Sequence, residues 1–307
     1  MHSLISAWAR CQRIDIKKKS LRGNQVSVLS HDLSLGFQIR KLVNEVFKGY
    51  YTPERLIEEH TQVPLYSNVM LQSQALGWHE LLTDERNVRD TKANDIRRLG
   101  LVESTTLRRC PTCVAEDFAK YGCAHWRVFH QWPVARHCAV HGDLLHSSCN
   151  QCHMPFVRGH QARLADDPCP HCGGRQGAAD AFTPPIGYWP LLKLMYAALT
   201  GNSSDIQIIR QKIAEFNIQP ERIGRGQVVT TTDRLVRRTC QAWDVETLSE
   251  LAAALGVNWI WFNEFERSAG LRECPPMVKL ALVSNGSDIR MRLEAANDEY
   301  VHLPWAA

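Results

Sequence analysis

The sequence predicts a mainly α-helical protein with a small zinc-stabilised β component: a helical N-terminal region, a central double zinc-ribbon, and a helical C-terminal region carrying a candidate helix-turn-helix. Three observations predict this. Apolar residues recur at helical spacing before residue 105 and after residue 180. Between those limits the composition shifts to Cys, His, Gly and Pro, as it does where bound ions replace a hydrophobic core. Eight of the eleven cysteines fall in that middle stretch, seven of them in turns whose paired ligands are separated by two residues. The chain therefore divides into residues 1–104, 105–180 and 181–307, with the helix-turn-helix near 247–266.

The 307 residues suffice for two or three domains with at least one well-buried core, so the fold needs no disulfides. No run approaches the ~20 apolar residues that span a bilayer. The opening Met1–Arg10 segment has no long apolar stretch of the kind an export signal carries. The expectation is a soluble, cytoplasmic protein without a membrane partner, whose cysteines bind metal rather than pair. A formal net charge of +4 permits contact with nucleic acid without demanding it.

In chain order, Arg13–Arg22 is a basic run without apolar periodicity and reads as a loop. Leu35, Ile39, Leu42, Val43, Val46 and Phe47 form one face of an amphipathic helix, capped by Asp32 or Ser34 and stopped at Gly49. Pro53 opens a short helix through Leu56, Ile57 and His60, and a further helical stretch carries Val69, Met70, Leu76, Trp78, Leu81 and Leu82. After the cysteine-rich stretch, Pro184–Pro190 reads as a linker. It precedes helices over 191–199, about 206–216 and about 231–243.

Zinc takes four soft or borderline ligands, and two ligands separated by two residues reach one ion from a tight turn. Four such turns are present: Cys110/Cys113, Cys138/His141, Cys149/Cys152 and Cys169/Cys172. Eight ligands complete two closed structural sites, so two Zn2+ ions are expected, with no open position for catalysis. Cys149-x2-Cys152-x16-Cys169-x2-Cys172 has ribbon spacing, and Cys110-x2-Cys113-x24-Cys138-x2-His141 has a longer insert and one imidazole. Sequential pairing of the turns is favoured, and an interleaved pairing of the middle two and the outer two is the alternative. His125, His130, His137, His146, His153, His160 and His171 have no matched partner turn and read as ordinary histidines. Cys11, Cys123, Cys240 and Cys274 read as free thiols.

Candidate nucleic-acid contacts come from arginines. Arg234, Arg237 and Arg238 gather on one helical face, Arg108 and Arg109 precede the first zinc turn, and Arg127 lies in its insert. Thr247–Phe262 has helix-turn-helix spacing, with Ala252 at the close approach of the helices and Gly256 in the turn. Its second helix, Trp259 to Ser268, carries Glu264, Glu266 and several aromatic residues, a composition closer to a packed or protein-binding face than to a base reader.

The context of the ligand turns is more specific than their spacing. Cys110-Pro-Thr-Cys113-Val-Ala-Glu-Asp, His125-Trp126-Arg127, Trp132-Pro133, Cys138-Ala-Val-His141-Gly-Asp-Leu-Leu145, Cys149-Asn-Gln-Cys152 and Cys169-Pro-His-Cys172-Gly together resemble the TniQ/TnsD family of transposon target-selection proteins. The opening Ser3-Leu4-Ile5-Ser6-Ala7-Trp8-Ala9-Arg10 is similar to that family's N-terminal element. The resemblance implies a non-enzymatic adaptor that marks an integration site for an AAA+ ATPase regulator of the transposase. It would bind target DNA directly or ride on an RNA-guided CRISPR effector complex, in some members as a homodimer. The residues after 180 are too few for the long DNA-reading region of the larger direct binders. A zinc-containing, sequence-specific transcription regulator is the alternative from spacing alone. No HExxH, P-loop, GxSxG or zinc-deaminase motif points to an enzyme.

Overall fold

The computed structural model describes residues 43–47, 50–61, 63–69, 106–157, 163–200, 203–216, 231–257 and 276–285. The basic run at 13–22, the helical stretch beyond residue 69, the second helix of the candidate helix-turn-helix, Cys11, His160 and Cys274 lie outside these residues. The elements are α1 (Pro53–His60), α2 (Val63–Val69), α3 (Pro111–Tyr121), β1 (Ser148–Cys149), β2 (Gly177–Ala178), α4 (Tyr188–Thr200), α5 (Ser203–Phe216), α6 (Thr231–Ala242), α7 (Leu248–Ala254) and α8 (Pro276–Ser284). A single π-helical turn spans Val43–Phe47, and a 3-10 turn spans Val128–Gln131. The protein is mainly helical, and the two short strands pair antiparallel, Ser148 with Ala178 and Cys149 with Gly177.

Local chemistry starts several of these helices. The Thr52 hydroxyl accepts from the Arg55 backbone N–H at 3.2 Å, and Pro53 occupies the first helical position of α1, where its missing N–H costs nothing. Thr247 and Glu250 form a reciprocal capping box at the start of α7. α7 ends where Gly256 adopts φ +69°, a left-handed conformation that side chains with a Cβ rarely accept. At that turn the Gly256 Cα faces the Pro133 ring, and an added Cβ would lie 2.5 Å from the Pro133 Cβ.

The main core draws on all three segments of the chain. Leu65, Tyr66 and Val69 of α2 pack with Leu191, Leu192, Leu194, Met195 and Ala198 of α4, with Ile209 and Ile213 of α5, and with Met277 to Val283 of α8. α8 is apolar apart from Lys279 and Ser284, and Met277 to Ser284 are all buried, so it sits among α2, α4, α5 and α6 as a central rod. Asn68 ties three helices together. Its amide donates to the Ala198 carbonyl at 2.8 Å, and its oxygen accepts from Arg210 at 3.0 Å.

The expected linker at 184–190 is instead part of this core. Tyr188 is fully buried in the first turn of α4, and the Gly187 N–H donates to the Ala242 carbonyl at 2.7 Å. Pro190 lies in that first turn, where its lack of an N–H is harmless. The prolines mark a chain reversal whose aromatic residues are consumed in packing, which composition alone does not distinguish from a solvated spacer.

Candidate metal centres

The eight predicted ligands converge as two quartets in sequential pairing, Cys110/Cys113/Cys138/His141 and Cys149/Cys152/Cys169/Cys172, with ligand atoms within 4.8 Å of one another in each. In the first, the His141 Nδ1 lies 3.5, 3.3 and 3.6 Å from the sulfurs of Cys110, Cys113 and Cys138, and the Cys113 and Cys138 sulfurs are 3.6 Å apart. In the second, Cys149–Cys172 and Cys152–Cys169 are each 3.5 Å apart, sulfur to sulfur. Tetrahedral zinc, with Zn–S of about 2.3 Å and Zn–N of about 2.0 Å, sets its ligands about 3.8 Å (S–S) and about 3.5 Å (S–N) apart. A disulfide would need about 2.05 Å. Both quartets therefore fit a zinc-sized tetrahedron.

The two sites are built differently. Three of the four turns are knuckles that repeat one backbone pattern. The N–H of the first ligand donates to the carbonyl five residues on (Cys138 to Asp143, Cys149 to Met154, Cys169 to Gly174), and its own carbonyl receives the N–H four residues on. The residue at that fourth step is left-handed in each: Gly142 at φ +73°, His153 at +56° and Gly173 at +76°. Cys110/Cys113 is not a knuckle. Cys110 is the N-cap of α3 and accepts from the Cys113 N–H, and Pro111 sits at the first helical position. The second quartet is thus a two-knuckle ribbon closed by β1 and β2, and the first joins a knuckle to a helix N-terminus, whose partial positive charge favours thiolates.

Surroundings reinforce the difference. Cys110, Cys113 and Cys138 belong to the main helical core, next to the fully buried Trp132, whose ring packs 5.2 Å from Tyr66 of α2. Hydrogen bonds from Cys110 and Cys113 hold the Cys138 thiol well below its ordinary pKa, and those with Cys110 and Cys138, with burial, push Cys113 well above. Thiolates packed this closely need a cation to coexist. Cys149 and Cys169 belong to a smaller core with Leu107, Ala124, Trp126, Phe156, Val157 and Ala165, and Cys172 is exposed.

Several supporting residues escape sequence reasoning. The Glu116 carboxylate meets the His141 Nε2 at 3.0 Å, leaving Nδ1 for the metal. A signal for it exists, since Glu116 follows Cys113 by three residues on one helix. Tyr188 has no local signal: its hydroxyl accepts the N–H groups of Arg136 at 2.8 Å and His137 at 2.9 Å, immediately before the Cys138 knuckle. Among the histidines outside the ligand set, His130 is buried 3.9 Å from the Cys113 sulfur, and His137 packs against Phe182, Tyr188 and Trp189.

Arg108 and Arg109 require correction as nucleic-acid contacts. Both are buried with their terminal guanidinium nitrogens donating to backbone carbonyls, in opposite directions, as adjacent residues of an extended segment point. Arg108 donates to the carbonyls of Trp132, Pro133 and Ala135 beside the first quartet. Arg109 donates to those of Ala165, Asp167 and Arg175 in the ribbon and stacks 3.6 Å over the Phe156 ring. Burial pulls each guanidinium down to about 10. The pair is a staple between the two sites. Arg127 is half-buried in an ion pair with Asp117 at 2.7 Å. Arg234, Arg237 and Arg238 share α6, and Arg237 and Arg238 are exposed.

The fold and geometry define a helical protein organised around two Cys/His quartets able to hold metal ions, one within its main core and one in a smaller core with Cys172 exposed. Residues 18–145 match the TniQ family model, so that stretch of the chain is similar to a TniQ domain. That match contains the whole first quartet and ends before the second. No curated protein matches the chain. Among the described residues no helix is long and apolar enough to cross a membrane.

Proposed function

We propose that this protein is a non-enzymatic adaptor for target-site selection in DNA transposition, working in the cytoplasm. It binds a target DNA or an RNA-guided CRISPR effector complex and recruits an AAA+ ATPase transposition regulator. The observation that carries this reading is the TniQ match over residues 18–145, which includes the complete first quartet. Two structural Zn2+ ions support the role by holding loops in one geometry, since four protein ligands leave an ion no open position. The zinc-held centre joins helices from both ends of the chain, as a scaffold between partners requires. Exposed Arg237 and Arg238 on α6 suit contact with a phosphate backbone.

The test is association of the zinc-loaded protein with duplex DNA across a salt series, with and without the ATPase and guide complex encoded beside it. Weak DNA binding with tight partner binding is the expected result for an adaptor that rides a guide complex. Tight sequence-dependent binding together with ATPase recruitment identifies a direct site reader. Tight sequence-dependent binding without any association with the ATPase overturns the transposition reading in favour of a zinc-containing transcription regulator.

A further inference from the structure

We propose that the second quartet is a hydroperoxide-reactive modification site, at which Cys172 is oxidised and one zinc ion is released while the first site and the helical core persist. The inference rests on the assignment of zinc to both quartets and concerns how differently their thiolates are protected.

Three observations carry it. Cys172 is the one exposed sulfur ligand of the two quartets, whereas Cys110, Cys113 and Cys138 are buried among the helices of the main core. The four sulfurs of the second quartet lie within 4.8 Å of one another, with Cys149–Cys172 and Cys152–Cys169 each 3.5 Å apart, so a nucleophile waits beside any sulfur that is oxidised. The first quartet also holds a close sulfur pair, Cys113 and Cys138 at 3.6 Å, but both are buried, and the His141 imidazole that faces all three sulfurs cannot form a disulfide. Four thiolates on one divalent ion also leave two negative charges, against one for three thiolates and an imidazole, which makes the exposed site the more nucleophilic.

The chemistry balances with a hydroperoxide as oxidant. The Cys172 thiolate attacks one peroxide oxygen, the O–O bond breaks, hydroxide leaves, and Cys172 becomes a sulfenic acid. The Cys149 thiolate attacks that sulfur, the S–O bond breaks, a second hydroxide leaves, and a Cys149–Cys172 disulfide forms. With two protons from solvent, two thiolates and one hydrogen peroxide yield one disulfide and two waters. Two ligands no longer face the cation, and a second peroxide can close Cys152–Cys169 in the same way. The consequence is local, because Cys149 and Cys169 pack in the smaller core, which touches α3 through Val114, and not in the main helical core.

The test is titration of the zinc-loaded full chain with hydrogen peroxide, following zinc release with a chromogenic chelator, disulfides by peptide mapping after alkylation, and helix content by circular dichroism. The expected result is release of one of two zinc equivalents, a mapped Cys149–Cys172 disulfide, retained helical signal, and recovery of two ions after dithiothreitol and added zinc. Cys172→His keeps a metal donor and removes the exposed thiolate, and it should slow release about tenfold or more. Release of both ions together, no release, first oxidation at the first quartet, or wild-type release kinetics in Cys172→His each overturns the proposal. Fewer than two zinc equivalents before any peroxide is added refutes the zinc assignment, and the proposal with it.

Discussion

Replacing Tyr188 by Phe removes one hydroxyl from the junction between α4 and the first metal centre. The ring packing survives, since Phe keeps its neighbours Phe182, His137 and Trp189 at 5.0, 5.6 and 5.2 Å between centroids. The variant lacks the acceptor for the Arg136 and His137 N–H groups, at 2.8 and 2.9 Å. The His137 group is buried and bears a desolvation cost of about 1–3 kcal/mol when orphaned. The Arg136 group is part-buried, so water recovers some of its loss and about 0.5–1 kcal/mol is assigned to it. The expected destabilisation is about 1.5–4 kcal/mol, roughly 10- to 1,000-fold in the unfolding equilibrium. Urea unfolding at fixed free zinc should show a lower midpoint with an unchanged slope. Because residues 136 and 137 lead into Cys138, zinc should also leave the first site faster. Tyr50→Phe, at a ring 85% exposed, is the control and should stay within about 0.5 kcal/mol of wild type. A loss below about 0.5 kcal/mol in Tyr188→Phe, with unchanged zinc release, would refute the anchoring role of the hydroxyl.

Cys138→Ser and Cys172→Ser should each cost one of two zinc equivalents, with different consequences. Structural zinc binding is worth on the order of 10 kcal/mol, comparable to a whole domain's stability, so loss from the main core should abolish the cooperative helical transition. Loss from the ribbon should leave that transition in place, and equal damage by both variants would contradict the division into two cores. Gly256→Ala combines a left-handed φ, costing about 1 kcal/mol, with a Cβ 2.5 Å from that of Pro133. Forced overpacking adds about 1–3 kcal/mol, so denaturant melts should show a loss of about 2–4 kcal/mol, and wild-type stability would mean that α7 does not dock there. Charge reversal at Arg237 and Arg238 should weaken DNA binding and flatten its dependence on log salt by about 0.9 for each phosphate no longer neutralised, and an unchanged slope would mark them as a solvated face.

The metal ligands were legible because zinc coordination is short-range in sequence. Two ligands on one turn are fixed by local spacing, and four such turns make two quartets. Even the contrast between two identical Cys-Pro-x-Cys motifs follows from neighbours. Val114-Ala115-Glu116 continues Cys110–Cys113 into α3, whereas Gly173 turns left-handed after Cys169–Cys172 and makes a knuckle. The helices at 53–60 and 231–242 were equally local. Arg108 and Arg109 were not, because an arginine before a metal turn looks the same whether its guanidinium meets phosphate or a carbonyl 56 residues away.

By itself the sequence determined the candidate ligand inventory, its count of two quartets, the helical class and the resemblance that the family match over 18–145 supports. Only the tertiary structure decided the sequential pairing, the burial of one site and exposure of the other, the linker that became core at Tyr188, and the staple at Arg108 and Arg109. The physical reason is range. Coordination turns and caps are satisfied within a few residues, whereas the desolvation that sets a side chain's role depends on which distant segments close over it.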